Sequence, residues 1–156
     1  MAAQRHLLDT NVLSHLLKHP AGAVRERITA VGEEAVCTSI VVACELRYGA
    51  AKKGSPALST RVDQLLSAIE VLPLDDDVDA KYGDIRTTLE KAGTPIGAND
   101  YLIAAHALAT DLTLVTDNVG EFSRVPGLSV EIRGVAAMPA LTPTLSRAEK
   151  TRGRGS

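Results

Sequence analysis

Leu112-Thr113-Leu114-Val115-Thr116-Asp117 is the stretch that decides the fold: a short, mostly apolar run that stops at a carboxylate. Such a run reads as a strand covered on both faces, because no polar residue recurs at every second position to mark a wet side. His6-Leu7-Leu8 repeats the arrangement and stops at Asp9. Ala35-Val36-Cys37-Thr38 leads into Ser39, and Glu70-Val71-Leu72-Pro73-Leu74 and Leu128-Ser129-Val130-Glu131-Ile132 are two weaker candidates.

Helical patterns fill the intervals. Asn11 is placed to cap a helix reaching Lys18, a second runs from Ala21 to Ala30, and Ser39 is placed to cap a third that reaches Lys53. After Pro56, an N1-type proline, Leu58, Val62, Leu65, Leu66 and Ile69 recur at helical spacing. Asp76 to Lys91 reads as a further helix, stopped by Gly93 and Pro95. Asn99 or Gly97 opens the next, with Tyr101, Leu102, Ala105, Leu108 and Ala109 on its apolar face. Strands alternating with helices predict an α/β fold with a mostly parallel sheet covered by helices on both faces.

The chain has 156 residues, the size of one domain, and 45% of them are apolar. A domain of that size buries roughly two thirds of its unfolded surface. Residues 1–133 are expected to form it. Residues 134–156, with Pro139, Pro143, Arg147, Lys150, Arg152 and Arg154, read as a disordered or loosely packed tail. No apolar run approaches a membrane span, and Asp9 interrupts any signal-peptide pattern, so a soluble cytoplasmic protein with no membrane partner is expected. Net charge is -2, so any nucleic-acid partner needs a local basic patch. Aromatic residues are 3% of the chain and Trp is absent, which argues against recognition by base stacking. Cys37 and Cys44 form no C-x-x-C and read as small buried apolar residues. His15 and His19 stand four apart, but two ligands do not make a site, and they read as solvated helix-face residues.

The chemistry lies in acids. In an open α/β sheet, ligands bind beyond the carboxyl ends of the strands, where Asp9 and Asp117 stand. Taken singly, each also reads as a helix cap or an Asx-turn. Glu45 lies in Ile40-Val41-Val42-Ala43-Cys44-Glu45-Leu46, with Val41, Val42, Tyr48 and Gly49 as its helical neighbours. That predicts a half-buried carboxylate, paired with an arginine or holding a metal. Asp100 falls in the first turn of its helix, a favourable place for an anion in any case. Together, four carboxylates at one sheet edge repel one another, and a divalent cation resolves the conflict. Oxygen donors without a Cys or His cluster favour magnesium or manganese. A metal-activated water and neutralised charge suit phosphodiester hydrolysis, and no Ser, Cys or His nucleophile is evident.

These residues resemble the PIN-domain ribonucleases, specifically the VapC toxin type. The resemblance is carried by Leu8-Asp9-Thr10-Asn11-Val12-Leu13, by Ser39 through Cys44-Glu45-Leu46-Arg47-Tyr48-Gly49, by Pro95-Ile96-Gly97-Ala98-Asn99-Asp100 with Leu102-Ile103-Ala104-Ala105-His106-Ala107, and by Leu114-Val115-Thr116-Asp117-Asn118 with Glu121-Phe122 and Pro126-Gly127-Leu128. It implies a three-layer α/β/α fold and a magnesium-dependent endoribonuclease, with Asp9, Glu45, Asp100 and Asp117 as the acidic set and Thr116 orienting a ligand or water. It further implies RNA substrates, often transfer RNA, a homodimer, and inhibition by a VapB-type antitoxin. The family tolerates Asn at the last acidic position, so Asp117 is the weakest expectation for direct metal contact. Asn11 fits the family's opening motif but reads first as a helix cap, and Asn118 reads as the cap of a short helix.

Arg47, Lys52, Lys53 and Arg86 are candidates for an RNA path or for pairing with an acidic antitoxin tail, although Lys52 and Lys53 also read as a solvated helix end. The stripe Leu58, Val62, Leu65 and Ile69 suits either core packing or a partner helix. An aspartyl-phosphate phosphoryl-transfer domain also places an Asp after its first strand. Here Asn11 occupies the position of the second Asp, and Thr38-Ser39 stand where a receiver domain has its acceptor. A catalytically weak RNA- or antitoxin-binding module is the non-enzymatic alternative, and four retained acids argue against it. No G-x-x-x-x-G-K-[ST] or G-x-G-x-x-G follows a strand.

Overall fold

The computed structural model describes residues 5–75 and 77–132. Strand and helix alternate: β1 (His6–Leu8), α1 (Thr10–Lys18), α2 (Ala23–Val31), a 3-10 turn (Glu33–Ala35), β2 (Val36–Ser39), α3 (Ile40–Lys53), α4 (Pro56–Ala68), β3 (Glu70–Leu72), α5 (Val78–Lys91), α6 (Ala98–Ala109), β4 (Thr113–Thr116), α7 (Val119–Phe122) and β5 (Val130–Ile132). The five strands form one sheet in the order β3-β2-β1-β4-β5, and every pairing is parallel. The expected α/β/α architecture is therefore met, with a sheet wholly rather than mostly parallel.

The strand order explains where a site belongs. From β1 the chain builds outward through β2 and β3, then returns to the other side of β1 for β4 and β5. The crevice beyond β1 and β4 is thus the switch point of the sheet. Their register aligns Leu7 with Leu114 and Leu8 with Val115. One residue further, Asp9 stands level with Thr116. Every residue of β2 and β4 is buried, as strands covered on both faces require. Leu7 and Leu114 are fully inaccessible. Burying such a side chain contributes roughly 1.5–3 kcal/mol, which fixes the register that delivers Asp9 and Thr116.

Local chemistry sets the helix ends. Ser39 caps α3 as expected, its hydroxyl accepting the Val41 N–H at 3.0 Å. Gly54 closes that helix in the left-handed region at φ 64°, where a side chain would be strained. Ser55 caps α4, with Pro56 in its first turn. Asn11 does not cap α1: Asp9 does, accepting the Thr10 N–H at 2.8 Å, and Asn11 lies inside the helix. Asn118 holds the cap position of α7, but its side chain makes no cap hydrogen bond.

Three burial expectations change. Cys37 is buried, but Cys44 is exposed, four residues from Ile40 and from Tyr48 on the outer side of α3. Tyr48 is 66% exposed, so the apolar face expected around Glu45 is supplied by Val41 and Val42. α6 is covered nearly all round: Tyr101, Ile103, Ala104, Ala105, His106 and Ala107 are buried, while Leu102, Leu108 and Ala109 pack on the core from its margin. The stripe of α4 belongs to the core, with Val62 buried and Leu58, Leu65 and Ile69 packed against it. His19 is exposed and His15 half-buried, their rings 4.6 Å apart. The expected tail, 134–156, lies outside the described residues. Among the described residues, no helix is long and apolar enough to cross a membrane.

Candidate active site

Asp9 is 4% exposed and held by two donors. Thr10 N–H meets Oδ1 at 2.8 Å, and the Thr116 hydroxyl donates to Oδ2 at 2.6 Å. Burial pushes the carboxyl above its ordinary range, and the charges of Glu45 and Asp117 push it further. The bonds from Thr116 and Thr10 pull back without reversing the shift. Thr116 also accepts the Asn118 N–H at 2.9 Å, so its hydroxyl is oriented from behind.

Glu45 projects from α3, half-buried, and its partners are neutral. The Thr10 hydroxyl donates to Oε1, and Asn99 Nδ2 donates to Oε2 at 3.1 Å. Each donor is the sequence neighbour of another acid: Thr10 follows Asp9, and Asn99 precedes Asp100. The arginine pairing considered for Glu45 is replaced by these two contacts.

Asp100 lies in the first turn of α6. Burial first, then the hydrogen bond with Glu121, then the charges of Asp9, Glu121 and Glu45, push its carboxyl up to about 7. Glu121 in α7 is displaced oppositely. Its bond with Asp100 pulls it below the usual carboxylate range, burial opposes this, and Asn118, the Gly97 N–H and Arg124 add to the lowering. The opposed shifts are those expected of two carboxyls close enough to share one proton. Glu121, Thr10 and Asn99 are the residues that sequence reasoning missed as members of this cluster.

Asp117 is exposed at the rim. Its backbone N–H donates to Asn11 Oδ1 at 3.2 Å, which is what Asn11 does instead of capping α1. The structure thus brings Asp9, Glu45, Asp100 and Thr116 together, and joins Asp117 to them by its charge on Asp9.

The donor set is carboxylate and hydroxyl oxygen, which suits a hard divalent cation. As placed, no three acidic, His or Cys side chains among the described residues stand close enough to enclose an ion. A magnesium site does not need that, since the ion keeps waters and takes one or two carboxylates directly. The neighbouring acids that raise the Asp9 and Asp100 carboxyls exert a repulsion that a cation would relieve.

Three of the four basic candidates have partners of their own. Arg47 pairs with Asp63, and Lys52 lies over the Tyr48 ring. Arg86 holds Glu90 at 3.0 Å and the Tyr82 hydroxyl at 2.6 Å, with its guanidinium over Tyr82 and Tyr101.

The chain is similar to known proteins in sequence and in fold. The PIN domain profile matches residues 6–128. The ribonuclease VapC2 of Rickettsia felis is 37% identical over 128 residues, covering 81% of this chain and 96% of that protein. The tRNA(fMet)-specific endonuclease VapC of Salmonella typhimurium is 36% identical over the same shares. Among solved structures, VapBC2 from Rickettsia felis bound to a promoter DNA fragment superposes with a TM-score of 0.77 at 32% identity, covering 83% of this chain and 98% of that one. DNA-bound VapBC from Salmonella typhimurium gives 0.76 at 35%, covering 84% and 99%. The chain belongs to the PIN-domain family and, within it, to the VapC ribonucleases.

Proposed function

We propose that this chain is a magnesium-dependent endoribonuclease that hydrolyses RNA phosphodiester bonds as the toxin of a toxin–antitoxin pair. The observation that carries the reading is the convergence at the β1–β4 switch point, where burial and neighbouring acids hold the Asp100 carboxyl at about 7. PIN-domain ribonucleases generally depend on divalent metal, and the oxygen-only donor set here makes magnesium, or manganese in its place, the preferred ion.

In this reading Asp9 and Asp100 hold the ion directly, Glu45 acts through water, and Asp117 contributes from the rim. Thr116 fixes the Asp9 carboxylate so that Oδ2 keeps one orientation. When bound, a divalent ion supplies a more acidic water and offsets the charge that grows on the phosphodiester under attack. The chain itself orients the carboxylates: α1 is capped by Asp9 and α6 carries Asp100 in its first turn, so two positive helix ends face the charge.

Transfer RNA is the substrate class proposed first, because a relative is named for cutting tRNA(fMet). A VapB-type antitoxin is the proposed inhibitor, since similar structures are VapBC complexes, and a homodimer is the proposed assembly. The test uses Asp9→Asn and Asp100→Asn. Each should fold and nearly abolish magnesium-dependent RNA cleavage; full cleavage by both would sink the site. Expressed alone, the wild-type chain should arrest bacterial growth, and co-expression of its antitoxin should restore it. Harmless expression of a cleaving enzyme would remove the toxin role and leave the nuclease standing.

A further inference from the structure

Ser39 Oγ and His106 Nδ1 meet at 2.7 Å, and both residues are fully buried. Ser39 caps the helix that carries Glu45, and His106 lies on the helix that carries Asp100. The hydroxyl already accepts the Val41 N–H, so its second bond joins the start of α3 to the last turn of α6. Six residues further along α3, Glu45 accepts a bond from Asn99, which lies seven residues back along α6 from His106. The helices therefore run in opposite directions and are bridged by two polar rungs, about 10 Å apart at a rise of 1.5 Å per residue.

At helical spacing between these rungs stand Val42 on α3 and Leu102 and Ile103 on α6, all apolar, with Val42 and Ile103 fully buried. Apolar contact is non-directional and does not by itself single out one register. A buried polar pair does, because a slip leaves both partners desolvated and unmatched. A slip of one turn would move Asp100 about 5.4 Å relative to Glu45.

We propose that the Ser39–His106 pair is a positioning device: it fixes the register of α6 against α3 and so sets the separation of Glu45 from Asp100. The inference rests on the reading of those acids as the ion site. Ser39 and His106 reach neither ion nor RNA and act through the helices they join.

The test compares wild type with His106→Asn, His106→Gln and His106→Leu. Asn keeps a polar atom near Nδ1, Gln moves it toward Nε2, and Leu fills the space without one. Mn2+ affinity is read from the paramagnetic resonance of the free ion, beside kcat and KM for RNA and the thermal midpoint in chelator. Asn should stay within about threefold of wild type, while Gln and Leu weaken Mn2+ binding and lower kcat by roughly 10- to 100-fold, with KM changed less than about twofold. If Asn and Gln bind Mn2+ alike, whether both normal, both weakened or both misfolded, the pair does not set the site and the proposal falls. Should Leu fail to fold, the contrast between Asn and Gln still decides. Asp100→Asn separates the two levels: wild type binding Mn2+ no better than that variant removes the ion site itself, and this inference with it. A wild type that binds well beside indistinguishable Asn and Gln variants overturns the inference alone.

Discussion

The Thr116 hydroxyl donates to Asp9 Oδ2 at 2.6 Å across the adjacent ends of β4 and β1. The contact is fully buried on the threonine side, and the same oxygen accepts the Asn118 N–H. Thr116→Val keeps the shape and removes both bonds, leaving a buried carboxylate oxygen and a backbone N–H unmatched. The expected loss is about 1–3 kcal/mol of stability, because the desolvation cost then stands uncompensated. Thr116→Ser should lie near wild type. Urea midpoints at an unchanged slope would measure this, and a valine variant as stable as wild type would show that the bond contributes little.

Asp100 permits a pH prediction with a definite sign. Its carboxyl is raised to about 7 by burial, the bond with Glu121 and the charges of Asp9, Glu121 and Glu45. A raised acid destabilises the folded state as pH climbs from its unfolded value, about 4, through its folded value. The cost is absent in acid and fully present above neutrality. In chelator, Asp100→Asn should therefore melt higher than wild type at about pH 8, with the gap closing by about pH 4. Magnesium should raise the melting temperature of wild type and not of the variant. Identical melting curves in chelator at both pH values would refute the predicted strain.

The opposite case is Glu131 on the edge strand β5. Burial pushes its carboxyl up, but the hydrogen bond with His6 and the charges of His6 and Arg27 outweigh it, and the net shift is down. His6 Nε2 lies 3.3 Å away and Arg27 3.7 Å away. A lowered acid contributes stability above its unfolded value, about 4.3, and that stability is lost as pH falls through the folded value. Glu131→Gln should thus be less stable than wild type at neutral pH and lose less on acidification. Parallel acid-denaturation curves for the two proteins would count against this pairing.

Much of this arrangement was legible in residues 6–132. The strands were readable because buried parallel strands are short apolar runs, and Asp9 and Asp117 marked their ends. Ser39 and Pro56 marked helix starts because capping chemistry is local. What was not legible depended on separate segments meeting. Asn11 looked like a cap because its partner, the Asp117 N–H, is 106 residues away. His106 sits in an alanine-rich run that gives no sign of Ser39, 67 residues earlier. Glu121 lies in the first turn of a four-residue helix, where an acid is unremarkable. Only the return of the chain after β4 brings it against Asp100.

That return supplies the last prediction. Among the neighbours of Asp100, Glu121 acts twice, through its hydrogen bond and through its charge. Glu121→Gln keeps the size and the hydrogen-bonding capacity while removing the charge. After burial, which the change leaves in place, Glu121 is the largest cause of the raised Asp100 carboxyl, so in chelator that group should titrate closer to the ordinary carboxylate range. Carboxyl-carbon NMR would follow it directly. The change should also weaken Mn2+ binding, since one acid beside Asp100 is lost, while leaving more cleavage at saturating ion than Asp100→Asn does. Asp9 supplies a control, because Glu121 is not among the causes of its shift, and its titration should stay where it was. An Asp100 titration that Glu121→Gln leaves unmoved would mean that the two carboxyls do not share a proton, and that Glu121 stands outside the site.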